Sequence, residues 1–196
     1  NASLEGSLGG EISLVISTRL GAGGLSIAQN AGIETALIDH HRYPTREAFD
    51  QDLAGAIDSA QTDLVVLAGF MRILTPEFVA RFSERLMNIH PSLLPLYPGL
   101  HTHQRALDNG DSHAGATVHY VTGELDGGPP VLQARVPVNS GDDADALAAR
   151  VLAVEHQIYP LAVNWHLCGR LTWEDGSLIK DGMPVPPSGE LWESTS

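Results

Sequence analysis

Four short apolar runs, three of them followed by a helix-length stretch, dominate the first half of the chain. Residues 12–17 read Ile-Ser-Leu-Val-Ile-Ser, 35–38 Thr-Ala-Leu-Ile, 64–68 Leu-Val-Val-Leu-Ala and 86–89 Leu-Met-Asn-Ile. Runs of this kind, β-rich and little interrupted by polar residues, suit strands buried from both sides, as in a parallel sheet. Between them, residues 21–31 form a small-residue helix. A second helix starts at Thr45 and repeats Phe49, Leu53 and Ile57 at four-residue steps, and a third covers residues 76–82 with Pro76 at a tolerated early position. Strands alternating with helices predict an α/β fold with a doubly wound, mostly parallel sheet and helices on both faces.

The second half departs from that alternation. Residues 92–100 are too rich in proline and glycine for regular structure and must form a shaped loop. A helix over residues 102–107 should end at Asn109-Gly110. Strands at 117–121 and 131–138, joined by residues 122–130, extend the sheet in mixed sense at one edge. Asp142 opens a long helix whose apolar stripe is Leu147, Val151, Val154, Ile158, Leu161 and Trp165, with a kink expected at Pro160. Glu174-Asp175-Gly176 sits between two short runs like the turn of a terminal hairpin. Residues 184–196 read as a flexible tail. With 196 residues, no repeat and no linker, a single domain is expected.

Two polar residues interrupt or end the 86–90 strand. Asn88 and His90 are two apart, so their side chains share one side of it, and Pro91 stops the ladder by removing a donor. A carboxamide can donate a fixed hydrogen bond, and an imidazole can carry a proton near neutrality. A polar strand end with a satisfied core histidine is the bland alternative. Asp126, in Asp126-Gly127-Gly128-Pro129, is either a turn residue or a carboxylate aimed at His90. Gly123, Gly127 and Gly128 would let that loop approach a ligand closely.

Three ordered motifs carry a resemblance. Asn88-Ile89-His90-Pro91-Ser92-Leu93-Leu94-Pro95, then Tyr97-Pro98-Gly99-Leu100-His101-Thr102-His103, then Asp126-Gly127-Gly128-Pro129 are similar to the glycinamide ribonucleotide transformylase family of folate-dependent formyltransferases. The likeness runs from about Glu11 to the C-terminal region, through Gly69-Phe70-Met71-Arg72-Ile73-Leu74. It implies a Rossmann-like formyltransferase fold, 10-formyltetrahydrofolate as co-substrate, and Asn88, His90 and Asp126 as the catalytic set. Met71, Arg72, Ile73, Leu74, Val79 and Leu86 would line one side of the folate pocket. Val121, Thr122, Glu124 and Asp126 would line the other. Arg46, either solvated or facing an acidic ligand, would meet the folate's glutamate tail. Gly69 and Pro91 would border the second substrate, and Glu155, solvated on other grounds, would hold its ribose hydroxyls. The family also has a first strand and a glycine-rich phosphate loop where this chain has only residues 1–10. Asn1 and Ser3 would then be the tail of that loop and the opening of its helix, binding phosphate through free N–H groups; a frayed terminus is the alternative. The Leu94-Pro95 bond is expected to be cis.

A net charge of −13 and a pI near 4.9 argue against broad binding of nucleic acid or anionic membrane. Small-molecule substrates are the expected partners, with the protein a monomer or homodimer. Residues 64–71 form the longest wholly apolar run, far short of the ~20 residues that span a bilayer. No leader is visible, and the single cysteine, Cys168, fits a reducing cytoplasm. His101, His103 and His113 lack a recognisable zinc spacing, so no metal is expected and they should brace the loop.

Formyl transfer to glycinamide ribonucleotide is the reaction the resemblance implies. A different amine acceptor, hydrolysis of formyl folate, and non-catalytic folate binding are the rivals. The first two would bring an added basic or regulatory domain, and binding alone has no use for a paired acid and oxyanion donor.

Overall fold

In the computed structural model, residues 5–193 are described. Its elements run β1 (Leu14–Ser17), α1 (Gly23–Asn30), β2 (Glu34–Leu37), α2 (Arg46–Ser59), β3 (Val65–Leu67), α3 (Pro76–Arg81), β4 (Leu86–His90) and α4 (Thr102–Asp108). There follow β5 (His113–Tyr120), β6 (Pro130–Pro137), α5 (Ala144–Leu167), β7 (Leu171–Glu174), β8 (Ser177–Lys180), β9 (Met183–Pro184) and β10 (Glu190–Trp192). A five-stranded sheet has the order β10-β6-β5-β4-β3. Its β3–β4 and β10–β6 pairs are parallel, and β5 is antiparallel to both its neighbours. β1 and β2 pair in parallel with each other in a two-stranded sheet, and β7, β8 and β9 make a third, antiparallel sheet.

β4 shows why both faces need cover. Leu86 packs among Phe49, Leu53 and Ile57 of α2, Phe78 of α3 and Phe82 just after it. Met87, one residue on, points the other way into the cluster of β5, β6 and α5. Both are fully buried, and side chains of this size each gain about 1.5–3 kcal/mol from burial. Helix starts are set by side chains: Thr45, Thr75 and Asp143 accept from the N–H groups of Ala48, Phe78 and Ala146. Buried Asp50 of α2 accepts from Thr75 N–H at 2.6 Å, tying α2 to the start of α3.

The expected stripe holds α5 to the sheet: Leu147, Val151, Ile158 and Trp165 are buried, and Val154 and Leu161 pack beside them. α5 continues through Pro160. The expected flexible tail over 184–196 is corrected. Val185 packs against the core, Val185 N–H donates to Leu178 O, and β10 adds a parallel strand to β6. Backbone pairing at the free edge of β6 gives this polar-looking segment a partner that its composition does not advertise; residues 194–196 lie outside the described residues. Among the described residues no helix is long and apolar enough to cross a membrane.

Candidate active site

Antiparallel pairing of β4 with β5 sets Asn88 opposite His119 and His90 opposite Thr117, and the β5–β6 ladder sets Thr117 opposite Gln133. Opposed residues share a face, so Asn88, His90, Thr117, His119 and Gln133 form one polar stripe on the Leu86 side of the sheet. The helices α2 and α3 cover this face at Leu86. Beyond it, the cover is made by the loops at 91–101 and 121–129, and Asp126 reaches back over the stripe from the second loop.

Asp126 Oδ2 lies 3.4 Å from His90 Nδ1 and accepts from Gly99 N–H at 2.8 Å. Its Oδ1 lies 3.8 Å from His119 Nε2, too far for a hydrogen bond. The side chains are nearly enclosed, 7% exposed for His90 and 10% for Asp126, so the electrostatics of this contact meet little screening by solvent. Asp126 occupies the left-handed region, φ +51, which aspartate tolerates better than most residues. His90 Nε2 lies 2.9 Å from Tyr97 O. A carbonyl can only accept, so Nε2 carries a proton and Nδ1 is the nitrogen presented to Asp126.

Asn88 is only partly buried, and its Nδ2 lies 3.2 Å from His119 Nε2. His119 Nδ1 donates to Tyr120 O at 2.9 Å, which leaves Nε2 as an acceptor for the Asn88 amide. Burial pushes the His119 imidazole down toward its neutral form; the Tyr120 carbonyl and the Asp126 charge oppose this less strongly. The sequence reading missed His119. Its signal was present, because residues 113–120 place Thr117 and His119 on one face, but only the register shows that Asn88 is its neighbour.

Most of the remaining expected residues are exposed or half-buried. Met71 and Ile73 are strongly exposed, while Arg72, Leu74, Val79 and Val121 are half-buried and Leu86 is buried. Arg72 stacks its guanidinium 5.1 Å from the Phe49 ring centre and leaves a buried Nε without a partner. Thr122 and Glu124 are exposed on the returning loop, and Pro91 is half-buried at the end of β4. Gly69, φ +61, follows β3. Arg46 is 44% exposed and its nearest acid, Glu47, is 4.0 Å away. Glu155 of α5 is half-buried, and burial holds its carboxyl above the usual range despite opposition from His156. One turn further on, Tyr159 OH lies 2.7 Å from Leu67 O and 3.0 Å from Met87 O. As α5 runs antiparallel to β6, Glu155 sits about 6 Å nearer the carboxyl ends of β3 and β4 than Tyr159. Asn1 and Ser3 lie outside the described residues. Leu94-Pro95 is cis.

His101, φ +59, stands before α4, His113 meets Ser112, and half-buried His103 leaves Nδ1 without a partner. Burial and the nearby His90 both press His103 toward its neutral form.

A mixed α/β sheet that presents an amide, an imidazole and a carboxylate under two loops has the kinds of group that a transferase acting on a carbonyl carbon can use. The formyl transferase family model matches residues 1–163. Phosphoribosylglycinamide formyltransferase of Escherichia coli (strain K12) is 51% identical over 180 residues, covering 92% of this chain and 85% of that protein. The solved structure of phosphoribosylglycinamide formyltransferase from Coxiella burnetii matches with a TM-score of 0.92 at 44% identity, covering 98% of this chain and 90% of that one. Glycinamide ribonucleotide transformylase 1 from Symbiobacterium toebii matches with a TM-score of 0.88 at 44% identity, over 91% and 84% of the two chains. This chain belongs to the formyl transferase family.

Proposed function

We propose that the protein transfers the formyl group of 10-formyltetrahydrofolate to the amine of glycinamide ribonucleotide, a step of purine biosynthesis. The observation that carries this reading is the approach of Asp126 Oδ2 to His90 Nδ1, 3.4 Å, beside Asn88 in a chain 51% identical to a phosphoribosylglycinamide formyltransferase.

Attack of the amine on the formyl carbon puts negative charge on oxygen and positive charge on nitrogen, and this chain has a group for each. One Nδ2 hydrogen of Asn88 points to His119, which leaves the other for the oxyanion. Both nitrogens of His90 are already engaged, one by Tyr97 O and one by Asp126. His90 therefore acts on the oxyanion in this geometry through its electrostatic field rather than through a direct hydrogen bond, with the carboxylate beside it fixing the ring. Asp126 Oδ2 is occupied by Gly99 N–H, whereas Oδ1 has no hydrogen bond among the described residues. Oδ1 is the oxygen to take the amine proton, through water, and pass it toward the departing folate nitrogen. No covalent enzyme intermediate is needed.

The folate lies between the 71–74 segment and the loop at 121–126, with its glutamate tail toward Arg46. Glu155 holds ribose hydroxyls of the second substrate. The decisive experiment is to supply formyl folate with and without glycinamide ribonucleotide and to follow both products. Formylated amine is the expected result. Formate release without the amine would favour a hydrolase, and tight folate binding without turnover would favour a binding protein.

A further inference from the structure

Behind His90 lies a second set of polar groups, buried and hydrogen-bonded to one another and to the loop. Thr117 is completely buried and Gln133 is 5% exposed. Gln133 Nε2 lies 2.7 Å from Leu94 O and 2.9 Å from Thr117 Oγ1, so both amide hydrogens are spent. Thr117 Oγ1 donates to Ser92 O at 2.7 Å and accepts from Leu94 N–H at 3.1 Å as well as from Gln133. Its one donor and two acceptor sites are thus all used.

These bonds converge on the loop that follows His90. Ser92 N–H donates to His90 O, and Ser92 Oγ donates to Leu96 O at 2.6 Å. The next residue, Tyr97, is held with φ +55; its hydroxyl donates to Asp111 at 2.7 Å and its ring lies 5.1 Å from the Arg105 guanidinium. Its carbonyl is therefore presented to His90 Nε2 at a set position, and that contact decides which ring nitrogen faces Asp126.

We propose that Gln133 is a positioning residue. Through Thr117 and the 92–97 loop it holds the Tyr97 carbonyl against His90 Nε2, and so keeps Nδ1 directed at Asp126. Unpaired polar groups in a buried network are costly, and an apolar residue at 133 would strand Leu94 O as well as one acceptor site of Thr117. Its link to turnover rests on the formyl-transfer reading above; its link to the His90 ring does not.

The test uses Gln133→Met and Thr117→Val, which keep approximate shape and remove the donors or acceptor, with Thr117→Ser as the variant that retains the oxygen. Nitrogen NMR of histidine-labelled protein reads the His90 ring directly. With the ring neutral, at a pH chosen from the spectrum itself, the native protein and Thr117→Ser should show the proton at Nε2, and the other two variants should show both tautomers. Single-turnover formyl transfer should slow by roughly tenfold to a hundredfold in those two, the scale of a misplaced catalytic group, with KM changed less than about threefold. A purely structural role would lower urea midpoints and leave the His90 spectrum native; that result overturns the proposal. If Thr117→Val does not fold, Gln133→Met carries the test, and a native spectrum with Nδ1–H alone would overturn it with no variant at all. A protein that shows the expected spectra but transfers no formyl group would sink the proposed reaction and leave the positioning role standing.

Discussion

His119 stands directly across the β4–β5 ladder from Asn88 and takes the Asn88 amide at 3.2 Å through an imidazole that burial keeps neutral. The amide's orientation therefore depends on a residue 31 positions away. His119→Phe removes that acceptor, and formyl transfer should slow by roughly tenfold or more as the oxyanion donor loses its alignment. Steady-state kinetics decide it: unchanged kcat in a folded His119→Phe protein would mean that Asn88 needs no partner.

The same neutral imidazole makes stability depend on pH. The folded His119 binds its proton less readily than the unfolded residue, whose ordinary value is 6.5, so the unfolded state takes up more protons on acidification. Stability is then fully present above about pH 6.5 and is lost as pH falls below it. His166 adds to the effect, because burial lowers it against a weaker pull from Asp63, and it is the partner of Tyr120 OH at 2.7 Å. Urea unfolding from pH 5 to 8 should show this slope, shallower in His119→Gln. Parallel curves for the two proteins would contradict the assignment.

Asp126→Asn keeps the shape of the side chain and removes its charge. The chemical step should slow by roughly 10²-fold or more with little change in substrate binding, as expected when a group acts mainly in the transition state. Single-turnover rates across pH, with His90→Ala alongside, test this. Near-native rates in either folded variant would take that residue out of the mechanism.

Arg46 has only a loose pairing with Glu47 at 4.0 Å and is free to meet an anion. Replacing it with alanine should weaken a folate bearing several glutamates more than one without a glutamate tail, measured as two dissociation constants. Equal losses would mean that Arg46 is merely solvated.

Two adjacent glycines in the Asp126 loop leave no room for a Cβ. A Cβ at Gly128 would sit 1.9 Å from Tyr120 O, a backbone atom that cannot move aside without parting the loop from β5. At Gly127 a Cβ would sit 2.6 Å from Glu124 Cβ, an atom tied to the backbone that rotation of the side chain does not move. Gly128→Ala should cost about 2 kcal/mol or more in urea unfolding, the range of overpacked sites, and Gly127→Ala about 1 kcal/mol or more. Native urea midpoints in either variant would show that the loop yields freely there.

Much of this is legible in the sequence. The α5 stripe, the capped starts of α2 and α3 and the buried β4 strand follow from periodicity and side-chain chemistry acting over a few residues. Asn88, His90 and Asp126 stood out because their motifs resemble a family, and the structure brings His90 and Asp126 together. What stayed hidden depends on register. Nothing near His119 in sequence says that it faces Asn88, and nothing in residues 186–193 says that three of them will pair with β6. The Gly99 N–H and Tyr97 carbonyl that hold the carboxylate and the ring are backbone groups, which residue type does not reveal.

The short strand β10 has a consequence for solubility as well as for architecture. It lies along β6, whose Val131, Leu132 and Ala134 are wholly or nearly wholly buried. Without it, that eight-residue strand would be a sheet border with unpaired amides and carbonyls, the kind of surface that recruits strands from other molecules. With it, residues 132–134 of β6 are paired by a strand of three residues, which follows Pro186 and Pro187 in a turn closed by Gly189 N–H on Pro186 O. These last residues therefore act as a guard: a chain cut after Val185 should keep its Asn88–His90–Asp126 geometry and yet self-associate.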